Sequence, residues 1–166
     1  MAKTKLGAEV DDREWQKQLK RISKLTKGPH VLVGVMASAG DAEGGEFSLA
    51  ELAAVHEFGS PENGIPERSF IRSTITAVSE ERAKLVEKIM DDILHEKDTI
   101  EGGLAKLGLW LVNKIKSRIR NREIIPRLED SEAGRRTIKR KGSDVTLVDT
   151  AQLLNAISWR VESGGD

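Results

Sequence analysis

The 166-residue chain contains no cysteine. This absence excludes disulfide bonds, zinc-thiolate sites and cysteine nucleophiles, and it fits a reducing compartment such as the cytoplasm. The sequence also has no excess of either charge, because 27 Lys and Arg balance 27 Asp and Glu. No overall field therefore draws the chain to nucleic acid or to an anionic membrane, and a charged partner has to be recognised by a local patch.

Long apolar runs are absent as well. No stretch approaches the roughly 18 consecutive apolar residues that a membrane-spanning helix needs. The first residues, MAKTKLGAEVDDREW, contain no apolar core of the length found in secretory signals. We therefore expect a soluble protein that is not secreted through a standard signal and has no membrane partner. The length and the apolar content of 38% fit a single domain over residues 1–166.

Motifs of enzymes and of nucleotide-binding proteins are also missing. The glycine-rich stretch GVMASAGDAEGG has neither Gly-Lys-Ser/Thr nor Gly-x-Gly-x-x-Gly, and its carboxylates would repel a phosphate. No serine lies in a Gly-x-Ser-x-Gly context. His30, His56 and His95 have no spacing that would place two of them on one helix face. We expect no catalytic residue, no cofactor and no metal site.

The first third of the chain is predicted to contain one helix, one strand and one loop. An N-terminal helical segment is expected within residues 1–27, ended by Gly28 and Pro29. The dense apolar run HVLVGVM, at residues 30–36, predicts a buried strand. Residues 37–47 combine glycines with small and acidic residues, which predicts a flexible loop.

Helices dominate the middle of the chain. Ser48 and Glu51 have the spacing of a capping box, so a helix should begin there and end near Gly59. Apolar residues then recur at helical spacing over residues 69–93, which predicts one long helix, and again over 104–119. Near the C terminus ISWRVES alternates like a strand with one wet face. A few strands, distant in sequence, against several helices indicate an α+β fold.

Residues 122–146 are polar, basic and without apolar periodicity, which predicts an extended loop or arm. A short helix should follow, capped by Asp149 or Thr150. The arm is a candidate contact either for phosphate or for an acidic protein surface, and the neutral total charge favours protein. It lacks an aromatic residue that would stack on a base, so we expect no single-strand recognition. The cations that make it an interface candidate are Arg135, Arg136, Lys139, Arg140 and Lys141.

The connector between the first two central helices, SPENGIP, contains two prolines that restrict the residues before them, which predicts an extended connector that sets the angle between the helices. Large apolar residues around it are either core anchors or the centre of an interface. Without a catalytic partner, the connector suits docking better than chemistry. The interface candidates here are Phe58, Ile65, Pro66, Arg68 and Phe70.

Two stretches carry a family resemblance. AAVHEFGSPENGIPERSFIRSTI, residues 53–75, resembles the signature hEFG…IPxRPFhR of small neck and tail-completion proteins of tailed bacteriophages, including the Mu-like virion morphogenesis group. TIKRKGSDVTLVDTAQLLNAISWRV, residues 137–161, resembles that family's TxxRKGS…PLIDTGxLLxSIxYxV. The two motifs occur in the same order, and the resemblance spans roughly residues 28–162. Three departures are Ser69 for proline, Ala151 for glycine and Trp159 for tyrosine.

The resemblance implies a fold like that of tail-terminator proteins, with a small mixed or antiparallel sheet flanked by long amphipathic helices. It implies a virion structural protein at the head-tail junction or the top of the tail, assembled in the host cytoplasm as a hexameric ring and active in tail completion. The implied partners are copies of the chain, an adaptor or stopper, the tail terminator and the tail tube, with a contact to genomic DNA in the channel. Asp149 and Thr150 are further interface candidates.

Two other functions remain open at this stage. One is a different structural position in the same neighbourhood, as a head-tail adaptor or stopper. The other is a DNA-binding accessory protein that uses the basic arm, which would lose affinity steeply as salt rises. A hydrolase or nuclease is a more distant alternative.

Overall fold

The computed structural model describes residues 16–17, 19–20, 28–42, 47–141 and 151–164. Two strands, His30–Val35 (β1) and Ile157–Glu162 (β2), form the sheet within these residues. The helices are Leu49–Phe58 (α1), Arg72–Ala77 (α2), Ser79–Leu94 (α3), Ile100–Arg120 (α4), Glu132–Lys141 (α5) and Ala151–Ala156 (α6). Short 3-10 turns cover Ala37–Ala39, Pro61–Asn63 and Leu128–Asp130. The predicted α+β class is confirmed.

Both predicted strands are present, and together they form an antiparallel ribbon. His30 lies opposite Glu162 and Val35 opposite Ile157, so all six residues of each strand are paired. The expectation that the first strand is buried was wrong. His30 is exposed and residues 31–35 are only half-buried. The described elements around the ribbon are helices and turns, so no third strand pairs with it among the described residues.

Helix α4 packs against both strands and against helix α3. At Gly108 a β-carbon would lie 2.8 Å from Val31 Cγ2 and 2.9 Å from Trp159 Cγ, so the ribbon lies directly on the helix backbone. At Gly103 a β-carbon would lie 2.5 Å from Ile89 Cγ2 on α3. The two glycines therefore let α4 approach the ribbon and α3 more closely than a larger residue would allow.

The hydrophobic core draws on distant parts of the chain. Half-buried side chains from both strands, among them Val33, Val35 and Trp159, pack against it. None of the described helices has the length and apolarity needed to cross a bilayer. The buried core residues are Ala53, Phe70, Val78, Leu111, Val112, Ile115, Ile119, Ile124, Leu153, Leu154 and Ile157.

The single long helix predicted over residues 69–93 is two helices, α2 and α3, which meet at Val78. The backbone of Val78 has φ −103° and ψ 19°, outside the helical region. In α2 the hydroxyls of Thr74 and Thr76 donate to the carbonyl oxygens of Phe70 and Arg72, and such bonds to the preceding turn bend a helix. Apolar spacing continues across the break because both helices face the same core, and for that reason the sequence pattern concealed it.

The arm predicted as an extended loop over residues 122–146 contains helix α5. The hydroxyl of Ser131 accepts from the backbone amide of Gly134 at 3.1 Å and so caps the helix N terminus. Glu132 and Arg136 form an ion pair one helical turn apart. Apolar periodicity gave no sign of this helix because most of its side chains are polar. Residues 142–146 lie outside the described residues, as do Asp149 and Thr150.

Other local predictions stand as follows. The capping box of α1 is confirmed, since Ser48 and Glu51 each accept from the other's backbone amide. The ends of the loop over residues 37–47 are joined, because the Leu49 amide donates to the Gly40 carbonyl at 2.9 Å. Residues 43–46 at its tip lie outside the described residues. Of the N-terminal helical segment, residues 16–17 and 19–20 are described, and they are helical.

Candidate interface at the connector and the basic helix

The connector, residues 59–71, leaves the end of α1 and turns back on itself. Ser60 and Ile65 exchange backbone hydrogen bonds of 2.8 and 3.0 Å, which close a small loop around the turn at Pro61–Asn63. Gly59 has a φ of 76°, and a β-carbon on it would lie 2.7 Å from the backbone nitrogen of Glu67. This site therefore requires glycine. The connector is a folded loop and not the extended segment predicted.

Glu57, in the last turn of α1, fixes the far end of the connector. Its side chain is only 6% exposed. Its Oε2 accepts from the Ile71 amide at 2.9 Å. Its Oε1 accepts from the Ser69 hydroxyl at 2.8 Å and from the Arg72 amide and Nε at 3.0 Å each. One carboxylate thus joins the end of α1 to the start of α2.

The hydrogen bonds to Glu57 also set its protonation. Burial of the carboxyl raises its pKa, but the amides of Ile71 and Arg72, the Ser69 hydroxyl and the Arg72 guanidinium together lower the pKa below its ordinary value. Glu57 is therefore charged at neutral pH, and its charge is held by fixed donors. This carboxylate is a structural link, since its oxygens are already occupied.

Arg72 connects Glu57 to the surface. Its Nη2 donates to the Glu57 carbonyl oxygen at 2.9 Å and to Glu67 Oε1 at 2.8 Å. The guanidinium carbon lies 4.8 Å from the centre of the Phe58 ring, a cation–π distance. Phe58 itself is 63% exposed. The fold therefore holds a large aromatic ring at the surface, in the manner of an interface anchor.

Arg68 links the connector to the start of the basic helix, α5. It is 3% exposed, and its Nε donates to the Pro126 carbonyl at 3.1 Å. Its Nη2 donates to the Ser131 hydroxyl at 3.2 Å, the same hydroxyl that caps α5. Burial lowers the pKa of Arg68, whereas the Asp130 carboxylate raises it. The buried guanidinium therefore determines where the basic helix begins.

The five interface candidates at the connector have different positions in the structure. Phe58 is exposed, and Ile65 and Pro66 are half-buried at the surface. Phe70 has no exposed surface and belongs to the core, and Arg68 is buried against the segment before α5. For Phe70 and Arg68 the interface prediction gives way to a role inside the chain. The alternative of core anchors, left open by the sequence, applies to Phe70.

The basic helix presents charge on one face. Its exposed residues Glu132, Arg135, Arg136 and Lys139 are three or four positions apart and therefore share a face. Part of this charge is already engaged, because Arg136 pairs with Glu132 and Arg135 donates to the Glu129 carbonyl. Arg140 and Lys141 belong to α5, but their side chains lie outside the described part.

The described residues contain no cluster of three or more histidines and carboxylates that would hold a metal ion. His30 faces Glu162 at 3.4 Å and His95 faces Asp91 at 3.1 Å, each with a single carboxylate. These contacts are surface pairs of the kind that contribute little to stability.

Sequence reasoning missed Glu57 and Arg72. One signal was present. The C-terminal end of a helix carries a partial negative charge, so a carboxylate in the last turn is repelled by it. Glu57, in the last turn of α1, therefore needed a cation as a compensating partner. The two cations that follow, Arg68 and Arg72, were the available ones.

Comparison with known protein families, with curated proteins and with solved structures finds no match for this chain.

Proposed function

We propose that this chain is a bacteriophage virion structural protein that acts at the head-tail junction or the top of the tail, in tail completion and head-tail joining. It works as an oligomeric ring in the virion and makes its contacts through shape and charge. Its partners are copies of itself and the neighbouring neck and tail proteins. The resemblance of residues 53–75 and 137–161 to the neck and tail-completion family is the basis of the proposal.

The observation that carries the proposal is that the two motifs pack into one core. Phe70 comes from the first motif, and Leu153, Leu154 and Ile157 come from the second, and all four belong to the same buried cluster. Two motifs that are distant in sequence and pack into one core are harder to match by chance than a single motif on the surface. The proposal therefore rests on the packing of the two motifs into one core of this chain as well as on their sequences.

The described surface also suits a protein that joins others. An exposed aromatic ring, Phe58, is held in place by Arg72, and the basic helix offers exposed cations. The neutral total charge leaves such local patches to select the partner. Because the total charge of the chain is zero, we place an acidic protein surface ahead of DNA as the partner of α5.

Charge reversal on the basic helix tests this role. We expect the triple variant Arg135→Glu, Arg136→Glu, Lys139→Glu to lower the yield of joined particles by roughly tenfold or more, because complementary charge becomes repulsive. The matched control reverses three exposed lysines on or next to α3, Lys84, Lys88 and Lys97, and changes the net charge equally. Circular dichroism checks that both variants fold. Equal yields from the two variants would count against α5 as a contact.

The salt dependence of DNA binding distinguishes the DNA-binding alternative from a role in protein contacts. Affinity for duplex DNA that depends on phosphate contacts falls steeply as salt rises, with a slope set by the number of contacts. We expect weak binding at low salt and no measurable sequence preference. Tight binding at physiological salt that the triple variant abolishes would favour the DNA-binding accessory protein.

A further inference from the structure

The strand ribbon is incomplete as a sheet. A two-stranded antiparallel sheet needs support to be stable in water, and here α4 packs on one face, but the outer edge of each strand still presents N–H and C=O groups that can pair with another strand. Here β1 and β2 pair with each other, and no backbone hydrogen bond joins either strand to another described segment. Among the described residues, the outward-pointing N–H and C=O groups of both strands therefore lack a backbone partner.

The apolar face of the ribbon is incompletely covered as well. Side chains directly opposite each other in an antiparallel pair share a face, so Val31, Val33 and Val35 face the same way as Val161, Trp159 and Ile157. The contact with Gly108 shows that this is the face toward α4. Yet of these six residues only Ile157 is fully buried. The other five are half-buried, so part of their apolar surface on that face remains accessible.

We propose that the edges of the ribbon, which have no strand partner among the described residues, are the contact between copies of this chain, with the β1 edge of one copy pairing with the β2 edge of the next. The inference rests on the ring of the proposed function and specifies how its subunits join. The two edges differ from each other, so the contact is heterologous, and a repeated heterologous contact closes into a ring when the rotation allows.

The second copy is the occupant that fits both edges at once. β1 and β2 each have six residues, so the edges match in length. Rotation about an axis parallel to the strands preserves their direction, and the neighbour's β1 then runs antiparallel to β2. Each apolar face continues into the next, because three apolar side chains on β1 meet three on β2. The zero net charge leaves copies without mutual repulsion.

The absence of cysteine allows a clean cross-linking test on the full chain. Single cysteines are placed on the face of the ribbon turned away from α4, at His30 or Leu32 on β1 and at Arg160 or Glu162 on β2. A β1 variant is mixed with a β2 variant and treated with a thiol cross-linker that spans about 8 Å, which reaches direct and diagonal neighbours across strands. The control partner carries Asn113→Cys on the exposed face of α4.

We expect at least one of these mixtures to give cross-linked dimers roughly tenfold or more above the control, because a contact raises the local thiol concentration. Thermal unfolding of each variant confirms that it folds. Sedimentation shows whether the chains assemble. If they assemble, but no mixture of a β1 and a β2 variant gives more cross-linked dimer than the control, the edge contact is overturned and the proposed ring is not. Cross-linking only between two β1 variants, or only between two β2 variants, overturns the heterologous contact. A chain that stays monomeric overturns the inference, while the place in the virion is judged separately by imaging.

Discussion

At the scale of single residues, Glu57 organises the connector. Its two carboxylate oxygens receive four hydrogen bonds from Ser69, Ile71 and Arg72, so the angle between α1 and α2 depends on one buried charge. Removing one partner of a buried network is costly because the other groups stay buried without a partner. Arg72 is half exposed, so without Glu57 its guanidinium can hydrogen-bond to water more easily than the backbone amides of Ile71 and Arg72 can.

We expect Glu57→Gln to lower the free energy of unfolding by about 2 to 4 kcal/mol at neutral pH, since the amide replaces one acceptor oxygen with a donor that faces donors. Urea unfolding followed by circular dichroism measures the change. The exposed Glu62→Gln on the connector is the control and should stay within about 0.5 kcal/mol of the wild type. Equal stabilities for the two variants would show that Glu57 is not a structural link.

The same substitution has a signature in acid. The folded-state pKa of Glu57 is below its unfolded value, so its stabilisation is complete above the unfolded pKa and is lost as the pH falls through the folded one. The difference in unfolding free energy between wild type and Glu57→Gln should thus narrow below about pH 4. Urea titrations at neutral and acidic pH test this. A difference that stays constant from pH 7 to pH 3 would contradict the assigned pKa shift.

At the scale of secondary structure, the packing of α4 depends on glycine. Gly108 lies in the middle of a 21-residue helix, where alanine would favour the helix by about 1 kcal/mol. The contact with the ribbon makes alanine unfavourable at this position, because a β-carbon there would lie within 3 Å of both Val31 and Trp159. Neither contact is with the free end of a flexible side chain, so relief requires a shift of the ribbon.

We expect Gly108→Ala to destabilise the protein by about 1 to 3 kcal/mol, because overpacking outweighs the gain in helix propensity. Asn113→Ala, on the exposed face of the same helix, should be neutral or slightly stabilising. Urea unfolding of both variants gives the comparison. Stabilisation by Gly108→Ala would mean that the ribbon does not lie directly on α4.

Elements with an apolar stripe or a cap could be predicted from the sequence, and the others could not. Ser48 and Glu51 marked the start of α1, and alternation in ISWRVES marked β2. The break at Val78 was hidden because both flanking helices face one core. Helix α5 was hidden because its stability comes from the Ser131 cap and the Arg68 contact, which depends on residues 63 positions apart.

At the scale of the whole molecule, the two motifs form one architecture. Phe70 and Ile157 lie in the same core, and Arg68 connects the first motif to the segment that leads into the second. No pattern local to either motif predicts these contacts, since they depend on the fold bringing distant segments together. The motif residues that looked like docking residues, Phe70 and Arg68, hold the two halves together. Among the described residues, the surfaces that we propose for partners are the exposed Phe58, the basic helix and the ribbon edges.

The central claim, a structural position in the virion, is tested most directly by locating the protein in particles. Purified tailed-phage particles from cells that carry the gene for this chain are labelled with a specific antibody fragment and imaged by electron microscopy. The account predicts label at a single position per particle, at the head-tail junction or the top of the tail. Intact, mature particles that contain none of the protein, or label spread over the capsid, would contradict it.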